Sequence, residues 1–404
     1  MHRVVVTGLG IVSCLGNTLG DVTDALRRGR SGIELLPERK ALGFRSSLGG
    51  KLKAFDLSGV PKKHLRQLGP GSQIAVHATH QALRDAAWEP HHIKDERTAV
   101  VIGSGGNFHD IYQQCHMFRD DGLKLGGTAL QRVMHDTVSA NLSVLLGTRG
   151  YALTVACACA TGAAAIGLAY QLIRYGLQDR AICGGAHEDT WEYFCQFDAL
   201  KAFSMREDEP TRASRPFDKH RDGLVPSAGG GILTLEEREQ ALRRGATIYG
   251  EVIGYAFTSD GNDMTIPSGE GSARCIRLAL QDAGIAAGNV DYVNAHATST
   301  PVGDASEARA IVEAFGNRPY VSSTKSMTGH EQAAAGSNEV IYTLLMMRDQ
   351  FVAPNINLDE LDPQCAGMNL VANDAIDARI DVAVSNAFGF GGVNTCVVMK
   401  RSST

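Results

Sequence analysis

The segment Thr154-Val-Ala-Cys-Ala-Cys-Ala-Thr-Gly162 decides how the chain is read. Its β-rich start gives way to the small residues Ala163–Ala165, and a helical pattern of apolar positions then runs from Thr161 to Tyr175. A strand that turns directly into a buried helix is the unit from which layered α/β folds are built. Cys159 stands at that turn. A helix start exposes free backbone N–H groups and the positive end of the helix dipole, which favour a thiolate and can hold an oxyanion. On these residues alone a second reading stays open, with Cys157 and Cys159 as small buried apolar side chains, the common fate of cysteine. A Cys-x-Cys zinc half-site would need a second pair at suitable spacing, and His91-His92 stands alone in a polar stretch.

Outward from this segment the same alternation repeats. Upstream, strands are expected at Val4–Thr7 and Thr98–Gly103, with helices at Leu19–Arg28, Ser72–Ala87 and Gln131–Leu146. Downstream, strand Arg180–Gly184, strand Ile232–Leu235, helix Glu236–Arg243 and a long strand Thr247–Phe257 follow. Helix Gly271–Ala283, strand Val290–Asn294, helix Ala305–Phe315, strand Tyr320–Ser322, helix Ala334–Met347 and strands Asp381–Ser385 and Asn394–Met399 complete the chain. The strands are apolar throughout rather than alternating, as expected when both faces are covered. Two similar βα halves meeting near residue 250 fit this order, 1–250 with the candidate nucleophile and 251–404 beyond it. The most polar interval, Arg206 to Arg221, reads as a surface loop.

Composition narrows the function. The 404 residues are 44% hydrophobic and 21% charged with net charge −5, the profile of a globular chain with no basic domain for nucleic acid. Aromatics at 6% argue against a base-stacking module, and 45 glycines argue for close backbone approach. The nine cysteines have no regular spacing, so reduced thiols in a cytoplasmic setting are expected. Met1–Val12 lacks the features of a signal peptide and reads as a first strand. The most apolar stretch, Tyr151 to Tyr170, is Ala-, Gly- and Val-rich rather than Leu-rich, so no membrane span is predicted.

Two histidines follow strand ends. His296 lies in Asn294-Ala-His-Ala-Thr-Ser-Thr-Pro-Val-Gly-Asp304, and His330 lies in Ser323-Thr-Lys-Ser-Met-Thr-Gly-His330. In parallel α/β sheets ligands gather at the C-terminal ends of strands, so both can face one crevice. With Lys325 nearby, they suggest a site that handles a carbonyl and a carboxylate. Asn386-Ala-Phe-Gly-Phe-Gly-Gly-Val-Asn394 reads as a third loop, whose glycines allow N–H groups to converge on one oxygen.

Taken together, these segments resemble the β-ketoacyl-acyl-carrier-protein synthases, in the synthase I and II branch of the condensing enzymes. The likeness runs from VVVTGLGIVSCLG (Val4–Gly16) through Gly103-Ser-Gly-Gly106, Ala158-Cys-Ala-Thr161, Arg215-Pro-Phe-Asp218 and Arg221-Asp-Gly223 to the three loops above. It implies a thiolase-like fold of two pseudo-equivalent βαβαβ halves in a five-layer αβαβα arrangement, normally a homodimer, with a heterodimer as the alternative. It implies catalysis by Cys159, His296, His330 and Lys325, with Phe390, Phe388 and Gly391 forming the oxyanion and gating loop. Glu307, Asp304, Thr298 and Thr300 are implied in support, with Lys325 holding His330 in a network with Glu307 and Asp304. Asn107, Phe108, Tyr193, Phe197 and Leu224 match acyl-pocket positions. Lys62, Lys63, Arg66 and Lys124 match carrier-protein contacts, and Asn294, Glu339, Ser385 and Asn386 match a monovalent cation site in some relatives.

The expected substrates are acyl and malonyl thioesters on acyl carrier protein, with no cofactor beyond the carrier's phosphopantetheine arm. Several positions depart from the family pattern. Ala297 replaces a glycine, Glu331-Gln332-Ala333 replaces a Ser-Leu-Gly stretch, Cys157 adds a second thiol, and Asp121 replaces a basic residue. Tyr193 stands where methionine is usual and Leu224 where an aromatic is common, which points to an acyl preference in polyene or polyketide synthesis as one option. A non-catalytic chain-length partner of another synthase is the alternative, although such partners typically lack the nucleophile retained here. A thiolase acting on coenzyme A esters would carry a second cysteine at the glycine loop, and Cys396 lies beyond it.

Overall fold

The apolar runs assemble into one 11-stranded sheet in a computed structural model that describes residues 1–402. Across the sheet the strands run Asn369–Leu370, Tyr320–Ser322, Tyr292–Asn294, Val382–Gly389, Val393–Arg401, Gly250–Ser259, Val4–Val12, Gly229–Glu237, Arg180–His187, Thr98–Ser104 and Ala152–Val155. The two sides of the junction between Val4–Val12 and Gly250–Ser259 mirror each other. On each side, moving outward, the last strand lies beside the first in antiparallel register, and parallel strands follow. The first and last strands of each half therefore close the unit at the junction and leave the parallel strands outside it.

Helices fill three layers around this sheet. Pro70–Asp85 and Thr137–Leu146 cover the outer face of the N-terminal strands, and Glu270–Ala283 with Pro301–Phe315 cover that of the C-terminal strands. Between them lie Thr161–Arg174 and Ala335–Asp349, packed on each other and on strands of both halves. The second of these is buried from Ala335 to Met347, which explains why its apolar residues surround it rather than forming a stripe. Pro301 opens helix Pro301–Phe315 at a position where its missing N–H costs nothing.

The alternation read from the sequence is present, with four differences. The expected helix Gln131–Leu146 is broken into Ala129–Val133 and Thr137–Leu146, where Met134 turns extended and releases the chain. Trp191–Ala199 and Phe108–Arg119 are helices that the pattern did not separate from loops. Arg206–Arg221 is a surface loop only in part: Arg206–Arg212 and Lys219-His220 are exposed or half-exposed, while Ala213–Asp218 and Arg221 are buried, Arg215 on Asp218 at 2.9 Å and Arg221 on Asp362 at 2.7 Å. The buried charges of this segment, Arg215, Asp218 and Arg221, are neutralised in pairs. Lastly, Ala152–Val155 is an edge strand and is exposed or half-exposed along its length, rather than covered on both faces.

Candidate active site

Cys159 lies between the end of strand Ala152–Val155 and helix Thr161–Arg174. The turn is pinned by Thr161, whose Oγ1 accepts from Cys157 N at 2.7 Å and donates to Ala158 O at 2.6 Å. Ala158 is held at φ +47°, a strained left-handed conformation for a residue with a Cβ. Gly389 closes over the turn, and a Cβ there would sit 3.0 Å from the Cys159 nitrogen and 3.1 Å from Cys157 O. Burial pushes the Cys159 thiol up to about 11, against the opposing pull of Lys325 and of the backbone N–H groups of Phe390 and Cys159 itself. Desolvation by burial thus opposes the pull of the helix start toward a thiolate.

The other two segments bring the histidines to the same place. Tyr320–Ser322 and Val382–Gly389 flank Tyr292–Asn294 in parallel, so the chain after each strand emerges at the same sheet edge. His296 and His330 meet with ring centroids 5.4 Å apart. Burial first, then the Lys325 cation and the neighbouring ring, hold the His296 imidazole well below its ordinary value; burial, Lys325 and His187 do the same to His330. Both rings are neutral at physiological pH, each offering one N–H donor. Among the described residues, neither nitrogen of His330 has a hydrogen-bond partner, and neither does Nδ1 of His296.

Lys325 acts electrostatically on His330 and Glu307, as the expected network had it, but its ion-pair partner is Glu339, which that network did not include. Lys325 is ion-paired with Glu339, and both are buried. Glu307 instead accepts from the backbone N–H groups of His296 at 2.8 Å and Ala297 at 2.6 Å, and from Asn386 Nδ2 at 3.1 Å. Asp304 accepts from Phe217 N at 2.9 Å and Thr300 N at 3.2 Å and lies 3.6 Å from Arg221, remote in role from the lysine. Burial raises both carboxyls, that of Asp304 to about 7. These carboxylates shape the backbone under His296, while Glu339 is the partner of the lysine cation.

The segment Asn386–Asn394 is not all loop. Strand Val382–Gly389 pairs with Val393–Arg401 as far as Gly389↔Val393, so the turn is Phe390-Gly391-Gly392, with both glycines at positive φ. Phe388 packs 5.9 Å from the His296 ring, and Phe390 stacks 5.9 Å from Phe197. A cavity of about 440 Å³ opens here, lined by Cys159, His296, His330, Phe388, Gly389 and Phe390. Thr298 and Thr300, their hydroxyls 3.1 Å apart, also line it, as do Phe197 and Leu224. Of the remaining acyl-pocket positions, Asn107 is buried under Met134 O, while Phe108 and Tyr193 pack edge to face at 5.2 Å outside this cavity. A larger hollow of about 630 Å³ between helices Glu270–Ala283 and Pro301–Phe315 holds none of the Cys and His set.

Two further groups stand out. Asn294 Oδ1, Ser385 Oγ, Asn386 Oδ1 and Glu339 Oε2 are all buried and without a partner among the described residues, and Asn294 and Ser385 are register neighbours on adjacent strands. Four spare oxygens with one carboxylate fit a hard monovalent cation by donor type. Lys62, Lys63 and Arg66 are exposed on and just after the short helix Lys62–Leu65, with no ion pair among the described residues, and Lys124 is exposed elsewhere on the surface. The sequence reading passed over His187, which ends strand Arg180–His187. The strand-end argument that singled out His296 would have found it.

A double-wound α/β core with a cysteine on a helix start and two histidines on neighbouring strand ends defines a condensing-enzyme architecture. The chain belongs to the β-ketoacyl synthase family: residues 1–241 match its N-terminal domain and 249–359 its C-terminal domain. It is 42% identical to 3-oxoacyl-[acyl-carrier-protein] synthase 1 of Haemophilus influenzae over 99% of both chains. Its structure resembles a β-ketoacyl synthase from Burkholderia phymatum, with TM-score 0.96, 37% identity and all of both chains covered. It also resembles a ketosynthase solved with its type II PKS acyl-carrier protein, with TM-score 0.90 and 30% identity over 99% of this chain and all of that one.

Proposed function

We propose that Cys159 carries the acyl group while His296 and His330 hold the malonyl thioester as it loses its carboxylate. The reaction is the decarboxylative condensation of an acyl thioester with malonyl-acyl carrier protein, giving a 3-oxoacyl-acyl carrier protein. The observation that carries the assignment of residues is the convergence of Cys159, His296 and His330 on one cavity.

In the first half-reaction the Cys159 sulfur attacks the acyl thioester carbonyl, the bond to the carrier's phosphopantetheine sulfur breaks, and that sulfur leaves as a thiol with the cysteine proton. Splitting the condensation in this way replaces one difficult step with two easier ones. The backbone N–H groups of Cys159 and Phe390, already turned toward the sulfur, stabilise the tetrahedral oxyanion. In the second, malonyl thioester loses carbon dioxide, and the electron pair of the broken C–C bond becomes an enolate. Neutral His296 and His330 donate to its oxygen. The enolate carbon then attacks the acyl-cysteine, the C–S bond breaks, and Cys159 takes up a proton. Lys325, positioned by its buried ion pair with Glu339, places its ammonium where its charge, after burial itself, holds both imidazoles well below their ordinary value.

The same reading extends outward. The unpaired Lys62, Lys63, Arg66 and Lys124 suit docking of an acidic carrier protein. The exposed edge Tyr151–Val155 suits pairing with a second copy in a homodimer, and the four spare oxygens suit a structural monovalent cation. The repeated strand order supports a division into 1–250 and 251–404, and free cysteines suit a reducing, cytoplasmic setting. Retention of all three reactive side chains weighs against a non-catalytic chain-length partner.

Intact-mass spectrometry tests the assignment. Mixing the protein with acyl-carrier proteins should leave an acyl adduct that malonyl-carrier protein discharges, and Cys159→Ala should abolish the adduct. An adduct that persists in Cys159→Ala, or undiminished product from that variant, would move the nucleophile elsewhere.

A further inference from the structure

Two imidazoles can serve one malonyl oxygen only if both are aimed at it. The His330 ring has no hydrogen bond to aim it among the described residues, so its direction is set by the backbone that carries it. One edge of that backbone is paired: His330 N donates to Val225 O at 2.7 Å, and Ser227 N donates to His330 O at 2.9 Å. The turn that follows is strained, with Gln332 at φ +52°. A side chain held in that region persists only where its surroundings over-determine it. Glu331, between the histidine and this turn, supplies the hold.

Glu331 is buried. Its carboxyl accepts from Asn338 Nδ2 at 2.7 Å and lies 3.1 Å from the Tyr342 hydroxyl, which in turn lies 2.8 Å from Ser13 Oγ. Asn338 and Tyr342 stand four residues apart on one face of helix Ala335–Asp349. Two glycines of strand Gly229–Glu237 clear the room. A Cβ on Gly229 would stand 3.1 Å from Glu331 Oε1, and one on Gly231 would stand 2.3 Å from Asn338 Oδ1. The residue after Asn338 is Glu339, the partner of Lys325. One helix thus carries both the lysine's counter-charge and the anchor of the residue after His330. Glu331 does not line the reactive cavity, so it acts on the chemistry through its neighbour.

We infer that Glu331 is a positioning residue: by tying the chain directly after His330 to Asn338 and Tyr342, it keeps the His330 imidazole aimed at the malonyl thioester oxygen. The inference rests on the ketosynthase reading above and deepens it at one residue. A contact misplaced by about 1 Å loses on the order of a hundredfold in rate. The loss should fall on one half-reaction, because in that reading acylation of Cys159 draws on the N–H groups of Cys159 and Phe390 rather than on His330.

The test compares wild type, Glu331→Leu and Glu331→Gln in two measurements, release of carbon dioxide from malonyl-carrier protein and formation of the acyl adduct on Cys159 by intact mass. Glu331→Leu removes both contacts and should lower kcat for carbon dioxide release by about tenfold to a hundredfold, with acylation at the wild-type rate. Glu331→Gln, whose amide can accept from Asn338 and donate to Tyr342, should restore most of the lost rate. If Glu331→Leu does not fold, Tyr342→Phe takes its place. It deletes one hydroxyl and should slow carbon dioxide release by about threefold or more, again without slowing acylation. Unchanged carbon dioxide release in the variant that decides overturns the inference. So does an equal loss in both half-reactions, the mark of a merely structural role, and so does a glutamine variant that stays as slow as the leucine one. A wild-type protein that neither forms the adduct nor releases carbon dioxide overturns the ketosynthase reading as well.

Discussion

His296 and His330 meet edge to face, ring centroids 5.4 Å apart and planes at 87°, and this contact unites two loops that leave neighbouring parallel strands. Their shared neutrality decides how the site responds to pH. Burial and the Lys325 cation hold both rings well below their ordinary value, so acid does not convert them to imidazolium near pH 6.5.

The condensation step should therefore show no loss centred at pH 6.5, measured as kcat with saturating carrier substrates. Stability should behave otherwise. The buried His187, held down to about 3 by desolvation, stays neutral in the folded state while the unfolded chain takes up a proton below 6.5. Its contribution is lost as pH falls from 6.5 toward 3, at about 1.4 kcal/mol per pH unit. Chemical denaturation of wild type and His187→Phe at pH 7 and pH 5 checks this: the gap between them should move in the variant's favour at pH 5. A constant gap would show that the histidine is protonated in the folded state.

Glu331 gives the opposite slope. Burial raises its carboxyl to about 8, and its partners are the uncharged Asn338 amide at 2.7 Å and the Tyr342 hydroxyl at 3.1 Å. The folded state keeps this proton between pH 4.5 and 8 while the unfolded chain releases it, so stability falls as pH rises through that window. Glu331→Gln removes the linkage and keeps the shape. Its stability relative to wild type should improve by about 1.4 kcal/mol per pH unit from pH 5 to pH 8, measured by urea unfolding. A pH-independent difference would mean that the carboxyl is ionised in place.

Gly389 touches the nucleophile's own backbone. A Cβ there would press on Cys159 N at 3.0 Å and on Ala158 Cβ at 3.2 Å, moving the sulfur rather than removing it. Gly389→Ala should slow acylation of Cys159 by ten- to a hundredfold, the usual effect of a small misplacement of a reacting group, with little change in the thermal transition. Stopped-time mass spectrometry of the acyl adduct measures it; wild-type loading would show that the turn absorbs the methyl group.

Lys62, Lys63 and Arg66 are exposed and carry no ion pair among the described residues, so reversing them should leave the fold intact. The triple change to Glu should raise the KM for carrier-protein substrates by about tenfold or more and flatten the salt dependence, with kcat retained. Kinetics at low and physiological ionic strength decide between this and docking elsewhere.

Local pattern made much of the molecule legible in advance. The apolar runs bounded by glycine showed where strands lie, and the switch from β-rich to small residues at Cys159 marked the turn that carries the nucleophile. The strand-end positions of His296 and His330 were enough to bring both to one crevice. Charge pattern misled at Arg206–Arg221, because pairing across distant segments is invisible in a polar run. The expected network around Lys325 also changed partners, since Glu339 approaches from a helix whose orientation only packing sets.

The sequence by itself determined the alternation of strands and helices, the place of each reactive side chain on its element, and the family of folds these belong to. Those features follow from backbone sterics and the spacing of apolar residues along one chain. Only the tertiary structure decided that burial raises the Cys159 thiol and holds both histidines well below their ordinary value, and that Glu307 accepts from the backbone while Glu339 pairs with the lysine. Ionisation and hydrogen-bond partnership depend on desolvation and on groups brought close from far along the chain, so they exist only once the core has closed.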